Sequence, residues 1–535
     1  MIIDFREPSA PTVYQVDLCL IGGGVANLSI ARRLLAQGHS VFILESGGTD
    51  YDEDVQAMAD ARNVGFDYYT LRYAALRMLG GTTAIWGGRC CEYDPIDFEA
   101  RAWVPHSGWP FGKTELEPYY REAARWFEIK EPSPMLNRFR QAVPVINSLD
   151  DGAFTTGIWV FDDEDERFTG SRIADVVDHP KTTIVLHATV TSINAAHDAG
   201  SIESLTIRDL SGRSGTVRAK RFVLGVGGLQ NPRLLLASND VMTCGLGNQN
   251  DLVGRFFMEH PHARGGKVVS DTAAWNLMKA FGRSHVVDGQ RVAAGILPKR
   301  DAQARHGLLN TAISITPRQP PTATMNPVMK VFDTARHTLD PNKLNRSLWR
   351  SAKGLALWAH QFTDPLRPWV LMKMGQRDMA IMVRAEQAPN PDSRVSLIDE
   401  RDPLGVPKYQ LDWRFADLDK HTVKVIVEQL DAHLRATDRG HVEMEDWLSE
   451  QGVTWKTDAL ISTHPYGGFH HVGTTKMADD PKQGVVDRHG KVHGLANLYI
   501  TGCSVFPTAS WVNPTFTIMA MAFRLADHLM AQPAA

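Results

Sequence analysis

The stretch YQVDLCLIGGGVANLSIARRLLAQGHSVFILESGG, Tyr14–Gly48, leaves the chain few folds to choose from. Val16, Leu18, Leu20 and Ile21 form a short apolar run that reads as a buried strand. Three glycines follow, and then Leu28, Ala31, Leu34 and Leu35 recur at helical spacing. Val41–Leu44 is a second strand, ending in Glu45, 23 positions past Gly22. Strand, glycine turn, helix, strand and acid together predict a nucleotide-binding βαβ start. The turn lets backbone N–H groups and the helix dipole meet a pyrophosphate, and the acid accepts hydrogen bonds from a ribose diol. Gly22 and Gly24 fill the first two glycine positions, but Asn27 stands at the third. Its amide must either widen the helix–strand packing or point at the ligand.

At 535 residues the chain is long enough for two cores. A net charge of −4 gives no reason to expect nucleic acid as a partner. Five cysteines, none in a C-x-x-C pair, suggest neither a disulfide framework nor a metal site. The vicinal Cys90 and Cys91 read as structural thiols rather than a redox pair. The acidic, proline-bearing N-terminal stretch has no charged-then-apolar leader and no twin arginine, so cytoplasmic residence is expected. Lys343–His360 reads as an amphipathic helix. Its Leu344, Leu348 and Leu355 face is expected to meet the body of the protein or a sister subunit in a homo-oligomer, in preference to peripheral contact with a membrane.

An acid rather than a basic residue at position 45 disfavours a 2′-phosphate, leaving NAD or FAD. Glycine-rich, nucleotide-like stretches return at about 80–91, 183–236 and 470–517, which favours the longer, folded-over FAD. MLGGTTAIWGGRC, Met78–Cys90, suits a flat ring system, with the hydroxyls of Thr82 and Thr83 and the indole of Trp86. Thr182–Ala195 alternates as one strand, and Lys220–Ser238 reads as strand, glycine turn and helix.

These segments, with NDLVGRFFMEHP (Asn250–Pro261), PNPDSRVSL (Pro389–Leu397), HHVGTTKM (His470–Met477) and GVVDRHGKVHGLANLYITGCSVFPTASWVNPTFT (Gly484–Thr517), resemble the glucose–methanol–choline (GMC) oxidoreductases over most of the chain and in the same order. SGWPFGKTELEPYYREA (Ser107–Ala123) and the spelling of the C-terminal segment are most similar to the branch holding pyranose 2-oxidase, fructose dehydrogenase and glycoside 3-oxidising enzymes. The resemblance implies FAD-dependent oxidation of an alcohol to a carbonyl, most readily a secondary hydroxyl of a pyranose or glycoside. A non-sugar alcohol, or a non-redox lyase on the same fold, is the alternative. Oxygen, a quinone or another carrier would accept the electrons. Ile85, not histidine, precedes Trp86, so the FAD is expected to be non-covalent. Cofactor contacts are expected from Gly22, Gly24, Val25, Ala26, Glu45, Gly81, Thr82, Thr83, Trp86, Val190, Gly227, Gly502, Cys503, Pro514 and Thr515.

Oxidising an alcohol needs a base for the hydroxyl proton, and a neutral imidazole serves near pH 7. By resemblance the base is His470, three residues before the Gly–Thr pair, and Asn513 holds the same substrate oxygen. His471 is its neighbour, and in extended backbone the two side chains point to opposite faces. The expected fold is α/β: a discontinuous Rossmann-like FAD-binding domain (1–108, 180–262 and 462–535) with an α+β substrate domain (109–179 and 263–461) whose antiparallel sheet roofs the flavin. Trp275, Phe281, Trp349, Trp358 and Trp369 are candidates for sugar stacking or for core packing alike.

Overall fold

The computed structural model describes residues 1–532 except 151, 165–166, 271–273, 324–339 and 364–366, and the side chains at 353 and 356–363 are also outside the description. The second half of the proline-rich loop at 318–327 and Trp358 therefore lie outside the described residues.

The first sheet is built on the opening motif. Val13–Ile21 lies between Val41–Leu44 and Ser214–Leu224, and Thr182–Leu186 and Ile2–Asp4 extend the sheet beyond Val41–Leu44, all in parallel. Ser214–Leu224 is long enough to serve two neighbours. Its first half pairs antiparallel with Ile202–Arg208 and its last three residues pair parallel with Leu498–Ile500, which brings the C-terminal segment onto the sheet. Val25–Ala36 covers one face and buries Leu28, Ala31, Leu34 and Leu35, each leucine worth roughly 1.5–3 kcal/mol in removed apolar surface. The C-terminal helix Thr515–Ala531 packs alongside it.

Thr182–Ala195 is not one strand. The backbone breaks at His187, which has φ 54°, between Thr182–Leu186 and Thr189–Ala195. The break has a topological reason: the first piece joins the parallel sheet, whereas the second turns back to pair antiparallel with Ile202–Arg208.

The second sheet is antiparallel. Its order is His441–Met444, His262–Val269, Asp378–Arg384, Ala312–Arg318, Gln290–Pro298, Phe154–Phe161 and Arg89–Cys90. Asp417–Ala436 and Trp275–Phe281 pack on one side of it in a second core containing Phe281, Val427 and Trp447. Phe281 is thus a core residue, and Trp275 packs against the same core. On the opposite side, Gly157 leaves room for Trp511: a Cβ there would stand 2.5 Å from the indole. The C-terminal segment is therefore gripped between both sheets.

Lys343–Thr363 is helical. Arg346 anchors it by a 2.9 Å bond to Asp50, but Leu344, Leu348 and Leu355 are 60–69% exposed, so this face does not meet the body of the protein. No helix among the described residues is long and apolar enough to cross a membrane. All five cysteines are unpaired, and burial pushes the Cys90 and Cys91 thiols well up, which makes both poor nucleophiles.

Candidate active site

Two constructions meet where the sheets face each other. One is a glycine-lined cradle. Gly22 takes φ 98° at the end of its strand, and a Cβ there would stand 2.8 Å from the Gly225 carbonyl oxygen. Gly24 caps the helix beginning at Val25, and Gly80 reaches over to it, its N–H bonding the Gly23 carbonyl at 2.8 Å. Cβ positions at Gly24, Gly227 and Gly502 meet nothing within 4 Å, although Gly502 is itself buried. Backbone that is buried yet faces open space is what a dinucleotide needs for close approach. The Trp86 Nε1 atom is buried there without a protein acceptor. The residues present therefore fit FAD.

Around this cradle Glu45 accepts the N–H groups of Gly23 at 2.7 Å and Gly47 at 2.9 Å, which fixes its carboxylate at the end of the second strand. The Ala188 N–H bonds the Glu45 carbonyl at 3.0 Å, so Val190, second in the strand that follows, lies close by, packed against the first core. Ala26 is buried and Val25 half-buried at the helix mouth. Gly81–Ile85 is a 3-10 turn whose threonines serve the loop: Thr83 Oγ1 donates to the Gly80 carbonyl, and Thr82 Oγ1 accepts the Leu76 N–H at 3.1 Å. Cys503 donates its thiol to the His471 carbonyl at 3.3 Å, and burial pushes its pKa up to about 12.

Asn27 takes neither course open to it from the sequence. Its Nδ2 donates to the Ile21 and Gly22 carbonyls at 2.8 and 2.9 Å, while Gly225, which lacks a Cβ, makes room for the amide. The helix stays close because a glycine on the neighbouring strand's exit replaces the missing third glycine.

The second construction is a line of polar side chains. Asn513 Nδ2 lies 3.2 Å from His470 Nε2. Forty-three residues separate the two in sequence. His470 Nδ1 lies 2.8 Å from His260 Nδ1, and His260 Nε2 lies 3.0 Å from the Ala509 carbonyl. A carbonyl can only accept, so His260 carries its hydrogen on Nε2. Burial lowers the pKa of His260 to about 4, and burial and then His260 hold His470 well below the usual range, so both rings are neutral. His260 Nδ1 is then a lone pair, His470 Nδ1 must donate to it, and His470 Nε2 is left as the basic nitrogen facing Asn513. His471 turns away: its Nε2 lies 3.0 Å from the Tyr68 hydroxyl, which donates to Glu259 at 2.8 Å.

Glu259 holds this arrangement from below. Fully buried, it accepts N–H bonds from His260, from Gly468 at 3.0 Å and from His470 at 2.7 Å, besides the Tyr68 hydroxyl. Burial raises its pKa to about 7 against these four donors. Glu259, His260 and His470 bring ligand atoms within 4.8 Å of one another, but the four donors and the His470–His260 bond already occupy those lone pairs. Gly467 and Gly468 are required by packing, since Cβ atoms there would lie 2.8 Å from Glu259 and 2.4 Å from His470. Phe469 and Ser510 both have φ 61°, unusual for residues with side chains. Ser510 is held by a 2.6 Å bond to Asp97, and the same loop places the Ala509 carbonyl. Pro514 then caps the helix Thr515–Ala531, whose N-terminus follows directly on Asn513.

Sequence reading thus placed His470 and Asn513 but passed over Glu259, His260 and Tyr68. The signal for the first two was an acid and two histidines within four residues, MEHPH, in an otherwise apolar stretch. Tyr68 gave none.

The model of the GMC oxidoreductase family matches residues 389–522. Paromamine 6'-oxidase of Streptomyces fradiae is 24% identical, with 95% of this chain and 90% of that protein covered. The fructose dehydrogenase large subunit of Gluconobacter japonicus is 22% identical, covering 96% and 97%. Among solved structures, pyridoxine 4-oxidase from Mesorbium loti superposes with a TM-score of 0.58 at 16% identity, covering 97% of this chain and 99% of that one. The fold, the glycine cradle and these matches agree: the chain is a member of the GMC oxidoreductase family.

Proposed function

We propose that the protein oxidises an alcohol to a carbonyl, using His470 as proton acceptor, Asn513 as the group that holds the same oxygen, and non-covalent FAD. The observation that carries this reading is the 3.2 Å separation of Asn513 Nδ2 from the unprotonated Nε2 of His470, beside a cradle that fits FAD. A hydroxyl entering between them donates to Nε2 and accepts from the amide, which fixes the oxygen and directs the C–H bond. FAD, when bound, supplies the acceptor for the hydride. The protein's part is to keep Nε2 free of a proton, through His260 and the Ala509 carbonyl, and to hold the alcohol in place. We assign FAD to segments 1–108, 180–262 and 462–535, and substrate to 109–179 and 263–461.

For the substrate we favour a secondary hydroxyl of a pyranose or glycoside. Two of the relatives are named for sugar substrates, and Tyr69, stacked on Phe469 at 4.1 Å and edge-on to Tyr466, offers an aromatic wall next to His470. A non-sugar alcohol is the second reading, favoured by the likeness to 2-methyl-1,2-propanediol dehydrogenase of Mycolicibacterium austroafricanum, 23% identical over 96% of this chain. The test is an anaerobic screen of the yellow protein against sugars, glycosides and simple alcohols, followed by readmission of air. Bleaching by a glycoside, with reoxidation in air, is the expected result for an oxidase. Bleaching without reoxidation would mark a dehydrogenase, and no bleaching by any alcohol would overturn the proposal.

A further inference from the structure

The sheet that faces the site carries an imbalance of charge. Arg384 and Arg318 project from the same face of neighbouring strands, because Ala312 pairs with Arg384 and Arg318 with Asp378 in register, and alternate residues share a face. Arg89 opens the edge strand, paired with Phe161, and its guanidinium lies 5.3 Å from that ring centre. Arg384 lies 5.6 Å from the centre of Trp159, two residues earlier in the same strand as Phe161. Through these contacts the three guanidiniums share one region of the sheet, and the charges of Arg89 and Arg318 both act on Arg384.

Several other buried guanidiniums in this protein have carboxylates. Arg101 is paired with Glu386, Arg233 with Asp402 at 2.8 Å, and Arg264, on the strand next to Arg384, with Asp458. These three do not. Among the described residues Arg384 has one hydrogen-bond partner, His262 Nε2 at 3.2 Å, which accepts because His262 Nδ1 is committed to the His464 carbonyl at 2.6 Å. Arg318 has a long contact to the Met382 sulfur at 3.9 Å, and its Nε is buried without an acceptor. Among the described residues no carboxylate bonds any of them, and the charged neighbours that act on them are other arginines. All three residues are nonetheless partly accessible rather than fully buried. Gathering uncompensated cations in a poorly solvated place is costly unless an anion completes the set.

The cluster adjoins the proposed active site, since Arg384 reaches His262, two residues from His260. Arg384 is among the charges felt by His470 and His260, and the segment covering the sheet face, 458–470, ends in His470 itself. Resting on the oxidation reading above, we propose that the alcohol oxidised at His470 belongs to an anionic molecule, a sugar or glycoside carrying a carboxylate, phosphate or sulfate, whose charge is bound by Arg384, Arg318 and Arg89. Planar guanidiniums recognise such oxyanions through paired N–H donors. The same cluster repels a cationic substrate, so an aminated sugar is disfavoured here.

The test uses the FAD-loaded protein and two ligands that differ only at C6, methyl β-D-glucuronide with a carboxylate there and methyl β-D-glucoside with a neutral hydroxymethyl group. Binding is followed by titration calorimetry and by perturbation of the oxidised flavin spectrum. The glucuronide should bind roughly 10- to 100-fold more tightly, as charge-assisted hydrogen bonds require. The advantage should shrink with added salt and with inorganic phosphate as competitor, and should fall in Arg384→Gln and, as an independent variant, Arg318→Gln. Equal or weaker binding of the glucuronide, or a preference unchanged in both variants, overturns the proposal. Anaerobic mixing separates its premise. If the glucuronide binds with this arginine dependence and bleaches no flavin, the anion site stands and the oxidation reading fails. If the neutral glucoside bleaches the flavin with no preference for the acid, the reverse holds.

Discussion

Replacing His260 with phenylalanine removes the group that sets the proton on His470 while filling much of the same volume. The loss falls on one atom. The Ala509 carbonyl keeps the Tyr93 hydroxyl as a donor at 2.7 Å, whereas His470 Nδ1–H has no other acceptor among the described residues. Leaving a buried donor unpaired costs about 1–3 kcal/mol. His470 can escape that cost by moving its hydrogen from Nδ1 to Nε2, the nitrogen that must be bare to accept a proton. The population of the working tautomer, and with it the rate of flavin reduction, should fall roughly 5- to 150-fold. The assay is anaerobic stopped-flow reduction with whichever alcohol bleaches the wild type, with FAD content and thermal unfolding measured alongside. His260→Gln, whose carbonyl can accept from Nδ1, should recover much of the rate, a rescue that a packing role would not produce. A His260→Phe protein that binds FAD, unfolds normally and is reduced within twofold of the wild-type rate would refute the tautomer argument.

Replacing His470 itself with alanine should slow flavin reduction roughly 10²–10⁴-fold while the protein stays yellow; reduction at nearly the original rate would remove it as the base. Gly24→Val adds atoms where the polypeptide has none within 4 Å, at a backbone φ of −83° that any residue adopts. It should leave the apoprotein's unfolding temperature within about 2 °C yet lower the FAD-to-protein ratio several-fold, since such a substitution away from packed atoms changes stability little. A full flavin complement would mean the nucleotide lies elsewhere. Burial raises Glu259 from 4.5 to about 7, so the native state keeps a proton that the unfolded chain releases. Its stabilising contribution is complete below pH 4.5 and is lost as pH rises through 7. In urea unfolding, the stability of the wild type relative to Glu259→Gln should fall by up to about 3 kcal/mol between pH 4.5 and pH 8, and a difference that grows with pH would contradict the assignment.

Much of the site was legible because its signals are local. A strand ending in glycines and restarting as a helix has one economical fold, so Gly22, Gly24 and Glu45 fell where their spacing put them. Errors arose where a distant residue decided. Thr182–Ala195 alternates throughout, and only the need to serve two strands of opposite direction breaks it at His187. Asn27 reads as a defect until Gly225, about two hundred residues on, is seen to accept its amide. For the Lys343–Thr363 helix the sequence predicted an apolar face, and nothing within the helix could reveal that the body of the protein leaves it open.

By itself, then, the order of residues determined the local motifs: the strand, glycine turn and helix at the start, which turns need glycine, and that His470 precedes a Gly–Thr pair near a capped helix. Those are short-range consequences of sterics and hydrogen bonding along the chain. Tertiary structure alone decided the chemistry. It brought His260 and the Ala509 carbonyl into line so that a hydrogen sits on one nitrogen of His470 rather than the other. It also gathered Arg89, Arg318 and Arg384 with no carboxylate bonded to them among the described residues. Protonation and charge balance depend on dielectric and on neighbours through space, and those exist only once the chain has closed on itself.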